Sequence, residues 1–115
     1  MIWHTRSTRP AAVSDPKAVR RRAAVLGDVA AEGATGAFRV LRRAAAHDPE
    51  VCDIRVAALV RAVPGMGVVD AHDVMIRAGI REGRVLGELG VPERIALSRL
   101  IMRRHRLNRM LRQPA

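Results

Sequence analysis

The chain has 115 residues, a formal charge of +10 from 21 basic and 11 acidic residues, and 49% hydrophobic residues. That suffices for one small domain with a modest core and excludes a multidomain assembly. With Trp3 and Phe38 as the only aromatics, and Ala, Val and Leu dominant, the composition disfavours β-sheet and suits closely packed short helices.

Residues 1–14 mix Arg, Ser, Thr and Pro without periodicity and read as a mobile basic arm that includes Trp3. Residues 15–112 read as one helical domain of about five helices. Asp15 and Pro16 are a cap and a first-turn proline for the first helix. Its apolar line is Val19, Ala23, Leu26 and Ala30, with Arg20, Arg21 and Arg22 on the other sides. That triplet is either a solvated face or a phosphate-tracking one. Gly33 ends this helix. Thr35 is expected to cap the next, about Gly36–His47, with Phe38, Leu41 and Ala45 inward.

Asp48 and Pro49 repeat the cap-plus-proline signal. They open a helix expected to run unbroken to Val63, with Cys52, Val56, Leu59 and Val63 on one stripe. Cys52 is the only cysteine, so no intrachain disulfide can form, and a buried structural thiol is expected. Pro64 stops the helix, and Gly65 and Gly67 permit a tight turn. The next helix, about Val68–Ala78, is expected to carry Val69, Val74, Met75 and Ala78 inward. Its first N–H groups follow Gly67, where nothing bulky blocks approach. Free donors at the positive end of a helix dipole suit an anion, usually a phosphate.

Ile80–Gly90 holds Gly83, Gly87 and Gly90 and reads as a loop or a single turn, tacked to the body by Val85, Leu86 and Leu89. Pro92 opens the last helix, about Pro92–Leu111. Leu97, Leu100, Leu107 and Leu111 form its stripe, with Arg104 intruding. Arg99, Arg103 and Arg106 share another face at i, i+4 and i+7. Their mutual repulsion would be relieved by an anionic partner.

The charge is uneven. Residues 1–26 carry six basic residues against Asp15 alone, and residues 99–115 carry six Arg and no acid. Residues 48–98, which contain the turn, hold eight acids against six Arg. The positive flanks point to a polyanion, most often nucleic acid. Met1–Pro10 is polar and broken by arginines, and the apolar run Val56–Val60 is far too short to span a bilayer. A cytoplasmic protein that does not bind membranes is expected.

Val63-Pro64-Gly65-Met66-Gly67, Ala78-Gly79-Ile80, Leu89-Gly90, and Arg94 with Ala96-Leu97 follow one another at near-constant spacing, with Thr35 and Val40-Leu41 upstream. This ordered set resembles the actinobacterial integration host factor family over roughly residues 18–101. The family pattern is an apolar helix, a Leu-Pro-Gly-Val-Gly turn, a helix ending Leu-Gly-Ile, and an Arg-rich loop before a last helix. The resemblance implies an all-α domain with a helix-two-turns-helix hairpin. It further implies a monomeric nucleoid-associated protein that binds double-stranded DNA mainly through its backbone and bends or constrains it. Carried over, Gly65, Met66, Gly67 and Val68 would supply the turn, and Arg84, Gly87 and Arg94 the loop and last-helix contacts. Here Val68, Asp70 and Asp73 stand where the family has basic residues, and Val85, Gly87 and Glu88 thin out the arginines of the loop. Arg99, Arg103 and Arg106, on the last helix, are expected to take over part of the electrostatic work.

No catalytic constellation is expected. His4, His47, His72 and His105 are scattered, and Asp70 and His72 leave their helix on different sides, so neither a metal nor another cofactor is expected. Glycine hairpins also occur in DNA glycosylases, but those need a catalytic carboxylate or lysine in a base pocket with stacking groups. Two other functions fit the sequence: a protein-interaction module in which the basic last helix docks an acidic partner, and RNA binding, since a similar hairpin occurs in a small-subunit ribosomal protein.

Overall fold

A computed structural model describes residues 15–112. The N-terminal arm, with Trp3, lies outside them. Among the described residues the fold is all-helical, with six α-helices, one 3-10 turn and a single isolated β-bridge.

Helix α1 spans Pro16–Glu32. Asp15 caps it by accepting from the Lys17 N–H at 3.1 Å. Its buried stripe is Ala18, Val25 and Val29, one residue back from the expected line, and Val19 is exposed. The arginine triplet follows the same rotation. Arg21 and Arg22 both donate to the Asp53 carboxylate, at 2.6 and 2.8 Å, and Arg21 also donates to the Glu50 carbonyl. Facing Asp53, the two arginines are neither a solvated nor a phosphate-tracking face. Burial raises the Asp53 carboxyl, but the two guanidinium bonds outweigh it and hold the group below its ordinary value.

Helix α2, Ala34–Ala45, follows directly, with Gly33 ending α1 and starting α2. Thr35 is therefore inside the helix and caps nothing. The inward face is centred on Ala37, Val40, Leu41 and Ala44; Phe38 is half-buried and Ala45 exposed.

The long helix expected from Pro49 to Val63 is two. Helix α3 spans Pro49–Cys52, capped by Asp48, and α4 spans Val56–Ala62. Between them the backbone pairs with the distant loop. The Ile54 carbonyl accepts from the Leu86 N–H at 2.9 Å, and the Val56 N–H donates to the Arg84 carbonyl at 3.0 Å. This forms the antiparallel bridge Arg55–Val85. A backbone group pairing outside its helix cannot also serve the i to i−4 ladder, so the helix breaks there. Cys52 is half-buried, and Gly87 of the loop passes directly over it.

Helix α5 spans Val68–Ala78, as its sequence signals imply, and ends at Gly79 in the left-handed conformation. It buries Ala71, Val74 and Met75, but Val69 is 81% exposed, against expectation. The loop contains one 3-10 turn, Leu86–Glu88, that sinks Leu86 and, just after it, Leu89 into the core. Helix α6 spans Val91–Arg112. Leu97 and Ile101 are fully buried, whereas Leu107 and Leu111 are exposed, so the expected apolar stripe stops after Leu100. Beyond it the inward line continues as Arg104 and Asn108. At 1.5 Å per residue α6 is about 33 Å long, twice the length of α5 against which it packs. Its end therefore has no core left to enter.

The core is shared by all these elements, with Ile54, Leu59, Leu86, Leu97 and Ile101 its largest fully buried side chains. Burying each contributes roughly 1.5–3 kcal/mol. No helix among the described residues is long and apolar enough to cross a membrane.

Candidate nucleic-acid interface

The turn between α4 and α5 is built by four residues with distinct tasks. The Met66 N–H donates to the Val63 carbonyl at 3.0 Å. Pro64 is then second and Gly65 third in a tight turn, and Gly65 takes φ +83°, which a side chain would resist. Met66 drops its side chain into the core. Of the anticipated contact residues it is thus an anchor, with its N–H already used. Gly67 caps α5 in extended conformation, and its carbonyl accepts the first helical bond from Ala71.

Gly67 does not need to be glycine for the fold. Its φ is −78° and a Cβ added there would meet nothing within 4 Å. The glycine keeps the helix mouth clear. No side chain caps the mouth, and the N–H groups of Val68, Val69 and Asp70 have no acceptor among the described residues. Val68 leans toward α4, where it lines a groove with Ala57, Arg61 and Met75. The donors are therefore open to solvent at the positive end of an 11-residue helix.

The charges around this mouth are arranged by α6. Arg104 donates to Asp73 at 2.6 Å and stands 3.7 Å from Asp70, while Arg77 also donates to Asp73. Asn108 donates to the Gly65 carbonyl at 3.0 Å and contacts Asp70 at 3.3 Å. Arg104, above all, holds the Asp73 carboxyl below its ordinary value; burial opposes it and Arg77 adds to it. The two acids that would repel a phosphate are thus committed to the last helix. A further cation is at hand: Arg61, exposed in the last turn of α4, borders the same depression as Pro64, Gly65 and Gly67. Sequence reasoning overlooked Arg61, although its place three residues before Pro64 was a usable signal.

The other anticipated contacts lie elsewhere. Arg84 donates to the Glu88 carbonyl at 2.7 Å and pairs with Glu93 at 3.3 Å. Glu93, which also accepts from the Gly90 N–H, is held below its ordinary value chiefly by that backbone bond. Arg94 is half-buried and donates to the Leu89 carbonyl at 2.6 Å. A Cβ on Gly87 would stand 2.9 Å from the Cys52 Cβ. These three residues build the loop and its junction with α6, at the Val56 end of α4. The turn is at the opposite end, about 10 Å along that helix. Arg99, Arg103 and Arg106 are exposed, without an ion pair among the described residues. Arg99 and Arg106 leave α6 on a different side from Arg104 and Asn108, while Arg103 stands between the two sides and lines a depression with Arg104, Asp73 and Arg77.

The family model described as the S13-like H2TH domain matches residues 31–100. A solved structure described as sIHF bound to an 8-bp palindromic DNA is similar to this chain. Its TM-score is 0.65 and its identity 29%, over 73% of this chain and 92% of that one. No curated protein matches.

Proposed function

The chain belongs to the S13-like H2TH domain family, with an integration-host-factor-like helix-two-turns-helix fold, and from this we propose that it is a nucleoid-associated protein that binds duplex DNA through its phosphates. The observation that carries the reading is the uncapped mouth of α5, where three N–H groups face solvent beside a glycine the fold does not require. The structural neighbour was solved with DNA bound, which supports the same reading.

In this reading a phosphate sits on the amides of Val68, Val69 and Asp70. Charge-assisted bonds from main-chain N–H groups hold it without regard to base sequence. Gly67 admits the strand closely. Arg61 neutralises an adjoining phosphate, and Arg104 cancels the carboxylates of Asp70 and Asp73. Arg99, Arg103 and Arg106 sit away from the turn and add to the attractive field, which fades beyond about 8–10 Å at physiological salt. The loop residues Arg84, Gly87 and Arg94 act by shaping the platform. Constraining or bending the duplex would follow from gripping its backbone at more than one point.

Gel shifts on an arbitrary GC-rich duplex across a salt series test this. Binding should be present at low salt on unrelated sequences and fall steeply as salt rises. No binding at low salt, or binding indifferent to salt, would reject it. Competition with duplex RNA separates a DNA protein from an RNA protein.

A further inference from the structure

We propose that the outer face of α6, with the adjoining edge of α2, is a docking surface for an acidic amphipathic helix of a protein partner. The face joins two features that phosphate binding does not explain together. Ile95, Met102, Leu107 and Met110 are 48, 41, 43 and 69% exposed. Among them stand Arg99, Arg103 and Arg106, and beside Ile95 the exposed Arg42 of α2. None of these four arginines has an ion pair among the described residues, whereas Arg104 on the other side of α6 is paired with Asp70 and Asp73.

The charge is one-sided. Neither α2 nor the chain beyond Glu93 contains an acidic residue. Pairing this face with its own copy about a two-fold axis would set guanidinium against guanidinium, which disfavours a symmetric dimer through it. A nucleic-acid backbone would satisfy the arginines but leave four apolar side chains against phosphates. A helix with an apolar stripe flanked by carboxylates satisfies both. Apolar patches rimmed by charge mark protein interfaces, and methionine adapts to the side chains it meets. From Ile95 to Met110 the face runs about 22 Å, which accommodates a helix of roughly sixteen residues. The family match ends at residue 100, so most of this face lies beyond it.

The probe is a synthetic labelled peptide of about sixteen residues, a Leu stripe at helical spacing flanked by Glu, titrated against the full chain by fluorescence anisotropy near physiological salt. A scrambled peptide of equal composition is the control. The striped peptide should bind at least about tenfold more tightly than the scrambled one. The double variant M102S/M110S should lose about tenfold in peptide affinity while keeping its melting temperature and its affinity for duplex DNA, since both side chains are exposed. A short duplex added at saturation should leave the peptide bound. Equal binding of the two peptides, no binding of either, or displacement by the duplex would overturn the proposal, and displacement would assign the face to nucleic acid.

Discussion

Arg104 of the last helix donates to Asp73 of the hairpin helix at 2.6 Å, and the same guanidinium stands 3.7 Å from Asp70. One side chain thereby performs two tasks. It docks the second half of α6, where the apolar stripe has run out, and it cancels the acids beside the open amides of α5. An arginine inside an apolar stripe reads as an irregularity until its partner Asp73, 31 residues away, is placed opposite it.

Replacing this side chain should separate fold from binding. Arg104→Ala leaves Asp70 without a cation and Asp73 with Arg77 alone, next to the proposed phosphate position. DNA affinity should fall by about threefold to tenfold at physiological salt, with a larger deficit at low salt, where charges are less screened. The Asn108 side-chain amide signal should shift as the helix end loosens. Unchanged affinity across the salt series would mean the two acids never face the duplex.

The same contact fixes a pH dependence. The Asp73 carboxyl is depressed in the folded chain, first by the Arg104 hydrogen bond. Its contribution is therefore fully present above the unfolded value, about 3.9, and is lost as pH falls through the lower folded value. Hydrogen exchange in residues 104–112 should stay constant from pH 7 to 5, once corrected for intrinsic rates, and accelerate only below the ordinary carboxylate range. Loosening that begins between pH 7 and 5 would contradict this assignment.

Gly87 should behave as a packing residue. Its missing Cβ would stand 2.9 Å from the Cys52 Cβ and 3.2 Å from the Cys52 carbonyl, which is backbone and cannot rotate away. Gly87→Ala should cost about 1–3 kcal/mol, a melting temperature lower by roughly 5–15 °C. DNA affinity measured well below that temperature should be unaltered. A normal melting curve with weakened binding would return Gly87 to the interface.

Among the arginines, proximity to the turn should rank the effects. Arg61 borders the depression of Pro64, Gly65 and Gly67, whereas Arg99 and Arg106 sit on the outer face of α6. Arg61→Glu should weaken DNA binding by about tenfold or more, and Arg99→Glu or Arg106→Glu by about threefold or less. Titrations at a single salt concentration suffice to compare them, and equal losses would place the outer face of α6 on the duplex.

What was legible in the sequence follows from which forces are local. The bounds of α5, the cap at Asp15 and the break at Pro64 rest on neighbouring residues, and each appears where its signal stands. The break between α3 and α4 does not, because it depends on backbone pairing of Ile54 and Val56 with residues 84–86, thirty positions away. The burial of Ala18, Val25 and Val29 has the same spacing as the expected Val19 line, and what separates the two, packing against α2 and α4 and the pairing of Arg21 and Arg22 with Asp53, is made by residues distant in the chain. Ile101 was hidden behind Leu100, which has the same polarity on an adjacent face. At the candidate site, the turn itself could be read from its Pro and Gly. Arg61, three residues before Pro64, was legible there too, whereas Arg104 and Asn108 could not be assigned to the site, since they reach it only through the packing of α6 on α5.

The most direct test is Gly67→Asp, set beside Gly67→Asn. The backbone at Gly67 is already extended and its surroundings are empty, so either residue can cap α5 and should hold or slightly raise the melting temperature. If a phosphate occupies the mouth of α5, the carboxylate will exclude it, and DNA affinity should drop by about tenfold or more for Asp, and by less for Asn. A Gly67→Asp chain that folds as well as the parent and binds duplex DNA with the parent's affinity and salt dependence would show that the phosphates are held somewhere else.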